Sequence, residues 1–328
     1  MKAWQVTRLG EPSDVLELVE IDPPTAGPGA VQIRVDAVGL NFPDILLCQG
    51  KYQERPDLPF TPGLEVAGTV IAVGEGATAA IGDRVYGSPG LPHGGCAEIA
   101  VLGLGGYFPT PSGMDDVTAA SWFITYQTAH VALHRRAGMK PGETLLVHAG
   151  AGGVGSAAIQ VGKAAGARVI ATAGGSAKVA VCEKLGADAV IDYSTEDIAA
   201  RVKELTGGGG ADVIFDPVGG AVFEASTKCV AFEGRILVIG FAGGEIASAA
   251  TNHALVKNYS IDGVHWGLYR LKAPEVIIET ADALASLFAS GEVAPLISEV
   301  CGLGELPAAL TRLGARGTVG KVVLTPSQ

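Results

Sequence analysis

The chain has 328 residues, a formal net charge of −11, 48% hydrophobic residues and 17% charged residues. This composition is sufficient for a buried core and excludes a disordered chain, and the acidic balance argues against a nucleic-acid partner. No stretch approaches 18 apolar residues and the first residues lack a signal-peptide pattern, so we expect no membrane segment and a cytoplasmic protein. The five cysteines form no C-x-x-C pair, and we expect no metal site.

The first 124 residues are predicted to form a turn-rich β domain. Residues 31–35 alternate apolar and polar side chains, 66–73 are rich in β-branched residues, and 82–87 resemble a strand entered through a turn. Prolines at positions 23, 24, 28, 56, 59 and 62 divide the region into short pieces. Short strands separated by turns favour a barrel-like arrangement.

From about residue 125 the pattern changes to apolar strands that alternate with amphipathic helices. The predicted strands are 145–148, 168–172, 189–191, 213–216 and 236–239, and the predicted helices include 154–165, 177–185 and 198–205. This alternation is typical of βαβ units and a doubly wound parallel sheet, the Rossmann arrangement.

The regular alternation ends near residue 262. The tail contains a helix candidate at 274–290 and a strand-like stretch at 319–324, which we expect to return to the first domain. We therefore predict an α/β protein in which residues 1–124 and 262–328 form a β-rich catalytic domain. Residues 125–261 would form an inserted Rossmann nucleotide-binding domain.

A glycine-rich turn after the first of these strands carries the strongest chemical signal. Gly150, Gly152 and Gly155 fit the pattern G-x-G-x-x-G between an apolar strand and a helix. Glycines let the backbone turn sharply and approach a pyrophosphate, whose charge is met by free amides and the positive end of the helix. The sequence predicts a dinucleotide site here that includes Gly153 and Val154.

The segment after the second strand bears on which dinucleotide is bound. An NAD-selective chain would offer Asp or Glu to the ribose hydroxyls there, but residues 171–178 contain no acid. After Gly174 in this segment, Ser176 can donate a hydrogen bond and Lys178 supplies a positive charge. Tyr193 follows the third strand, at the same edge of the predicted sheet. We predict NADPH over NADH. The alternative makes Lys178 a solvated helix residue and Ser176 a helix N-cap.

Further motifs at 41–52, 62–68, 94–98 and 317–324, together with the glycine-rich turn, make the whole chain resemble the medium-chain dehydrogenase/reductase superfamily. The most similar branch is that of the zinc-free quinone oxidoreductases, which include the zeta-crystallins. The resemblance implies a GroES-like catalytic domain, NADPH as cofactor, and hydride transfer to a quinone or a related α,β-unsaturated carbonyl. Zinc alcohol dehydrogenases carry Cys and His where this chain has Asn41 and Leu64, so the resemblance implies a zinc-independent reaction.

The resemblance also assigns roles to individual residues. It implies that the nicotinamide lies in an interdomain cleft close to Asn41, Tyr52 and Thr128. Without a metal, donors are needed for the developing oxyanion, and we expect Tyr52 and Asn41 to supply them while Asp44 orients the others. The alternative interpretation makes Tyr52 a core aromatic and Asn41 a turn former. Additional cofactor contacts are implied at Gly240, Phe241 and Lys321.

Two other functions remain compatible with these motifs. One is an enoyl or acryloyl thioester reductase, for which Arg135, Arg136 and Arg270 are candidate partners of a CoA phosphate. The other is a non-catalytic NADPH-binding structural or regulatory protein. In each case the expected partners are a small molecule and a second copy of the chain, because the resemblance implies a homodimer joined along the strand near 260–265.

Overall fold

The computed structural model describes residues 1–326. The described chain divides into two compact units, one formed by residues 1–124 and 295–326 and the other by residues 125–294. The division predicted from the sequence into catalytic and nucleotide-binding domains, with boundaries at 124/125 and 261/262, stays a prediction.

The strands and helices of the described residues alternate along the chain as follows. The strands are β1 (Lys2–Val6), β2 (Leu16–Glu20), β3 (Val31–Gly39), β4 (Val66–Val73), β5 (Arg84–Gly87), β6 (Ile99–Leu102), β7 (Tyr107–Pro109), β8 (Thr144–Val147), β9 (Arg168–Ala173), β10 (Ala189–Asp192), β11 (Ala211–Asp216), β12 (Val230–Val238), β13 (Ser260–Gly263), β14 (Ile297–Gly302) and β15 (Lys321–Thr325). The α-helices are α1 (Pro12–Val15), α2 (Phe42–Cys48), α3 (Asp116–Ala119), α4 (Phe123–His130), α5 (Gly153–Ala164), α6 (Ser176–Lys184), α7 (Ile198–Leu205), α8 (Gly220–Cys229), α9 (Thr251–Lys257), α10 (Trp266–Lys272), α11 (Pro274–Ala289) and α12 (Leu306–Gly314). A π-helical segment at Val131–Arg136 continues α4, and a 3₁₀ turn at Leu303–Glu305 precedes α12.

The unit of residues 125–294 is built on a six-stranded parallel sheet with the order β10-β9-β8-β11-β12-β13. The order reverses between β8 and β11, which is the switch point where doubly wound sheets bind ligands at the carboxyl ends of their strands. The two central strands each carry three consecutive apolar residues that are fully buried, residues 145–147 in β8 and 213–215 in β11, as expected for a sheet covered by helices on each side.

The unit of residues 1–124 and 295–326 contains a seven-stranded sheet with the order β14-β15-β3-β4-β5-β7, in which β6 also pairs with β3. Strands β1 and β2 form a separate antiparallel pair. The last strand of the chain, β15, lies beside β3 and so completes this sheet, as the sequence predicts. Its core is a continuous cluster of buried aliphatic and aromatic side chains drawn from both chain segments.

Helix α11 lies in the unit of residues 125–294. The sequence predicts this helix but assigns it to the catalytic domain. In the structure its residue Ile277 accepts a hydrogen bond from Gln127, and Ala294 donates to Gln160 at 2.7 Å, so the helix and its exit are bound to the Rossmann unit. Within residues 1–326, no helix has the length and apolarity needed to cross a membrane.

Candidate active site

The glycine-rich turn between β8 and α5 has the geometry of a phosphate cradle. A Cβ atom at Gly155 would clash with the Ala149 carbonyl oxygen, and one at Gly150 would lie 2.9 Å from the Cys182 sulfur, so packing alone requires glycine at both positions. At Gly152, by contrast, a Cβ would meet only the Ala149 oxygen at 3.3 Å. The glycine that packing does not demand is the one that leaves room for a ligand.

The first amides of α5 complete this cradle. Gly152 is the N-cap residue, with no side-chain cap, and the amides of Gly153, Val154 and Gly155 donate to no acceptor among residues 1–326. Unpaired amides at a helix N-terminus, together with the helix dipole, attract an anion. The turn therefore fits the diphosphate of a dinucleotide.

A buried histidine, His148, is connected through Thr172 to the glycine-rich turn. His148 Nδ1 lies 3.2 Å from the Thr172 hydroxyl oxygen, and His148 Nε2 lies 2.9 Å from the Ser226 hydroxyl oxygen. The Ser226 hydroxyl already donates to the Val222 carbonyl, so the imidazole must carry its proton on Nε2. Burial lowers the pKa of His148 and keeps it neutral. Because the Thr172 carbonyl accepts from the amide of Gly150 at 2.9 Å, this relay holds the start of the turn.

The turn between β9 and α6 brings together the residues predicted to select the nucleotide. A Cβ at Gly174 would lie 2.7 Å from the Tyr193 hydroxyl, so the missing side chain is what lets the aromatic ring pack on the turn. Lys178 lies half-buried in the first turn of α6. Gly175, with φ 82°, is the cap residue, which places Ser176 inside the helix and removes the alternative that Ser176 is the N-cap.

Sequence reasoning missed Asp192, which closes the same turn from the third strand. Its Oδ1 accepts hydrogen bonds from the amide of Gly175 at 3.0 Å and from the amide and hydroxyl of Ser194 at 3.0 and 2.6 Å. The hydrogen bond from the Ser194 hydroxyl is the main cause that lowers the Asp192 pKa. The sequence shows this acid directly before Tyr193, but Asp192 ends the third strand, whereas the acid that selects NAD is expected at the end of the second.

The loops after β11 and β12 are bound to each other. Ala242 donates to the Pro217 carbonyl at 3.0 Å and Gly243 to the Val218 carbonyl at 2.9 Å. The ring of Phe241 packs against Gly219, where a Cβ would come within 2.8 Å of it, yet 39% of the Phe241 side chain remains exposed. Gly240 stands beside it, with only the Pro217 carbonyl near its Cβ position. The structure thus gathers these loops at the carboxyl edge of the sheet that also carries the phosphate cradle.

Thr128 lies on α4 beside a buried glutamine. Gln127 accepts a hydrogen bond from the Trp266 indole at 3.2 Å and donates to the Ile277 carbonyl at 3.3 Å. Gln127 therefore connects α4 to α10 and α11. Thr128 itself is buried on this fixed helix.

In the other unit a buried ammonium group organises the residues predicted to be catalytic. Lys321, on β15, is 4% exposed and donates to the Leu40 carbonyl at 2.9 Å, to Asn41 Oδ1 at 2.6 Å and to Glu65 Oε2 at 2.8 Å. These three bonds use all three of its N–H groups. Lys321 is therefore engaged in holding this unit together and has no donor left for a ligand in this conformation.

Asn41 is held by the same network. Its Nδ2 donates to the Gly39 carbonyl at 3.0 Å and to Glu65 Oε2 at 2.9 Å, while its Oδ1 accepts from Lys321. An amide has two N–H donors, and both are used here. The structure consequently offers no free Asn41 donor for a developing oxyanion, although the residue is fixed in a single orientation.

Sequence reasoning missed Glu65, the carboxylate at the centre of this network. It is fully buried, and its second oxygen accepts from the amide of Ile124 at 2.9 Å. A carboxylate flanked by the apolar residues Leu64 and Val66 is a detectable sign of a buried charge, but no pattern in the sequence indicates its partner.

Asp44 is the third residue of helix α2, and its side chain caps the N-terminus of that helix. It accepts from the amide of Asn41 at 2.8 Å in a capping box, and from the amide of Gly63 at 3.2 Å. Complete burial raises the pKa of Asp44 to about 6, with the two amides acting in the opposite direction. Asp44 thus fixes Asn41 and the segment around Gly63, in keeping with an orienting role.

Tyr52 differs from its neighbours because its hydroxyl makes no hydrogen bond within the described part of the chain. The ring packs against the hydrophobic core of its unit, and burial raises the pKa of the phenol to about 12. The hydroxyl therefore carries its proton at neutral pH and is available as a donor. Among residues 1–326 there is no group of three or more His, Cys, Asp or Glu side chains placed to hold a metal ion.

Comparisons with known proteins agree with this architecture. Family models match over residues 27–114, the alcohol dehydrogenase GroES-like domain, and over residues 153–285, the zinc-binding dehydrogenase domain. The chain is 39% identical to the quinone oxidoreductase-like protein 2 homolog of Nematostella vectensis, across 100% of this chain and 89% of that protein. The structure of Escherichia coli quinone oxidoreductase complexed with NADPH matches with a TM-score of 0.92 and 30% identity, covering 99% and 100% of the two chains. CurK enoyl reductase matches with a TM-score of 0.89 and 28% identity, covering 99% and 98%.

A GroES-like unit joined to a Rossmann unit defines a two-domain dehydrogenase or reductase. The chain belongs to the medium-chain dehydrogenase/reductase superfamily, in its quinone oxidoreductase branch, and is an oxidoreductase. The family and the fold class predicted from the sequence are confirmed.

Proposed function

We propose that the protein is an NADPH-dependent, zinc-independent reductase that transfers hydride to quinones or related α,β-unsaturated carbonyls. The observation that carries the proposal is the phosphate cradle, where Gly152 leaves space beside three unpaired helix amides. The β9–α6 turn supports NADPH over NADH, because it presents Ser176, Lys178 and Tyr193 and no acid after the second strand. The two compact units would then serve as catalytic and nucleotide-binding domains.

Bound NADPH would supply the hydride, and the chain's own residues would bind and orient the reactants. The cradle would hold the diphosphate, while Thr128, Gly240 and Phe241 would contact the cofactor further along. Tyr52, with a protonated and unpaired hydroxyl, is the group we assign to donate a hydrogen bond to the acceptor oxygen as negative charge develops there. Asn41 and Lys321 would act by fixing the shape of the pocket wall, since their donors are already used.

A thioester reductase is the second candidate, favoured by the similarity to CurK enoyl reductase. Its CoA phosphate would need a free cation. Arg136 donates to the Gly263 carbonyl at 3.1 Å and pairs with Asp262, so one of the three arginines predicted for that role is already engaged.

The chain is proposed to act as a cytoplasmic homodimer. Among the described residues strand β13 pairs with β12 on one side only, and the apolar side chains of Leu255 and Val256 near it are more than 70% exposed. An unpaired edge with apolar neighbours is suited to association with a second copy. Light scattering at working concentration tests this, and a monomeric mass would contradict it.

The activity test is oxidation of NADPH, followed at 340 nm, by metal-stripped protein with a simple quinone, an enone and a short enoyl-CoA presented separately. Turnover with the quinone or the enone, retained in a strong chelator, is the expected result. Preference for the enoyl-CoA would favour the thioester reductase. Tight NADPH binding without turnover of any acceptor would favour a binding role, and activity that only zinc restores would contradict the metal-free reaction.

A further inference from the structure

A cavity lined by lysines lies in the Rossmann unit, away from the phosphate cradle. It has a volume of about 320 Å³ and is lined by Lys203, Lys228, Lys257, the glycines at 208–210 and the apolar residues Cys229, Val230 and Phe232. These residues come from the ends of α7, α8 and α9 and from the starts of β11 and β12. The cavity therefore opens at the amino edge of the sheet, whereas the cradle lies at the carboxyl edge, about 20 Å away along the six-residue strand β11.

The three lysines converge without a negative partner. Within residues 1–326 none of Lys203, Lys228 and Lys257 forms an ion pair with a carboxylate. Lys257 is half-buried, and desolvation, followed by the charge of Lys203, lowers its pKa. In a chain with a net charge of −11, three cations around one cavity repel one another, and an anion bound among them would relieve that repulsion.

A purely structural role accounts for only one of the three. Lys257 Nζ donates to the carbonyls of Thr227 and Lys228 at 2.9 and 3.2 Å, where it satisfies the end of α8 and its dipole. This leaves Lys257 with one further N–H for a ligand. Lys203 and Lys228 are exposed and have no such bond, so helix capping does not explain why they border the same cavity.

The lining also indicates what kind of anion would fit. The amides at 208–210 already donate hydrogen bonds, to the carbonyls of Lys203 and Thr206 and to the Thr206 hydroxyl. The lysine ammonium groups alone would therefore recognise the charge of a ligand. Point-charge ammonium groups suit a phosphate group. Phe232 is 71% exposed beside them and offers an aromatic surface for an apolar group of the ligand.

We propose that this cavity is a second ligand site, which binds a small phosphate monoester carrying an aromatic or apolar group. The phosphate lies among the three lysines and the apolar part against Phe232. The site is independent of the proposed NADPH-dependent reaction, and its existence does not depend on that function.

Phenyl phosphate is the probe, with inorganic phosphate and benzyl alcohol as the charge-only and ring-only comparisons, titrated into the full-length protein by isothermal calorimetry at low salt. We expect phenyl phosphate to bind more tightly than either comparison. The double substitution Lys203→Gln/Lys228→Gln should weaken it at least about tenfold, because charge-assisted contacts are removed. Phe232→Ala should abolish the preference over inorganic phosphate.

Lys184→Gln removes an exposed lysine of α6 that lies outside the cavity, and should leave the affinity unchanged. Lys178→Ala reports on binding at the predicted nucleotide site. Loss of phenyl phosphate binding in Lys178→Ala but not in the double variant would overturn the proposal, as would equal loss in Lys184→Gln. Circular dichroism melting of each variant separates lost binding from lost folding. If the double variant unfolds, the single variants Lys203→Gln and Lys228→Gln are titrated instead, and wild-type affinity in both would equally overturn the proposal.

Discussion

The phosphate cradle and the buried lysine network use polar groups in opposite ways. In the cradle, the amides of Gly153, Val154 and Gly155 have no acceptor among the described residues. In the network, every donor of Lys321 and of the Asn41 amide is used within the protein. Unsatisfied groups at a helix N-terminus are suited to binding, whereas a fully satisfied buried network fixes geometry. The same family fold thus contains one region prepared for a ligand and another prepared for rigidity.

The largest effect should come from removing the carboxylate of the network. Glu65→Gln leaves the Lys321 ammonium buried without a negative partner, and we expect a loss of about 3 to 5 kcal/mol in the free energy of unfolding. Urea denaturation measures it. Adding Lys321→Met should restore part of the loss, because the uncompensated charge is then gone. Glu204→Gln, which removes an exposed partner of Arg201, is the control and should have no measurable effect. An unchanged midpoint in Glu65→Gln would mean that the network does not hold this unit.

Asp44 should make the same unit sensitive to pH. Its folded pKa of about 6 lies above the usual carboxyl value near 4, so the folded state binds a proton more readily than the unfolded state between these limits. The free energy of unfolding should therefore fall as pH rises from about 4 to about 6, by roughly 2 to 3 kcal/mol from this group. In Asp44→Asn this contribution should vanish, which urea midpoints at several pH values would reveal. If the difference in the free energy of unfolding between wild type and Asp44→Asn did not depend on pH, the raised pKa of Asp44 would be refuted.

Two glycine substitutions separate packing from binding in the cradle. Gly155→Ala forces a methyl group onto the Ala149 carbonyl, and we expect a loss of about 1 to 3 kcal/mol in stability together with lost NADPH affinity. Gly152→Ala meets only a 3.3 Å contact, so it should keep the wild-type melting temperature and lose affinity alone. Thermal melting and fluorescence titration with NADPH distinguish the two. Wild-type affinity in Gly152→Ala would show that no phosphate approaches there.

Lys178→Ala should leave stability unchanged and give the most selective change in binding free energy. Losing a charged partner of the 2′-phosphate is expected to weaken NADPH about thirtyfold and to leave NADH within about twofold. Fluorescence titration with both nucleotides measures the ratio, and Lys184→Ala on the same helix serves as the matched control. Equal losses for both nucleotides would mean that Lys178 does not contact the 2′-phosphate.

The cradle could be predicted from the sequence because its geometry depends on neighbouring residues, and the glycine spacing between a strand and a helix is visible in one short segment. The network could not, because Glu65 lies 24 residues from Asn41 and 256 residues from Lys321 and only the folded sheet brings them together. Helix α11 shows the same limit. Its amphipathic pattern predicts a helix with a buried face, but does not specify which unit covers that face.

The pairing of β15 with β3 has a consequence for how the protein is made. Lys321 lies 256 residues after Glu65 in the sequence, so Glu65 has no ammonium partner while the intervening chain is being translated. The Rossmann unit, residues 125–294, is continuous and has its full set of strands well before that point. Nascent-chain folding should therefore begin with the middle of the sequence and finish with its beginning, an inversion of the usual N-terminal-first order.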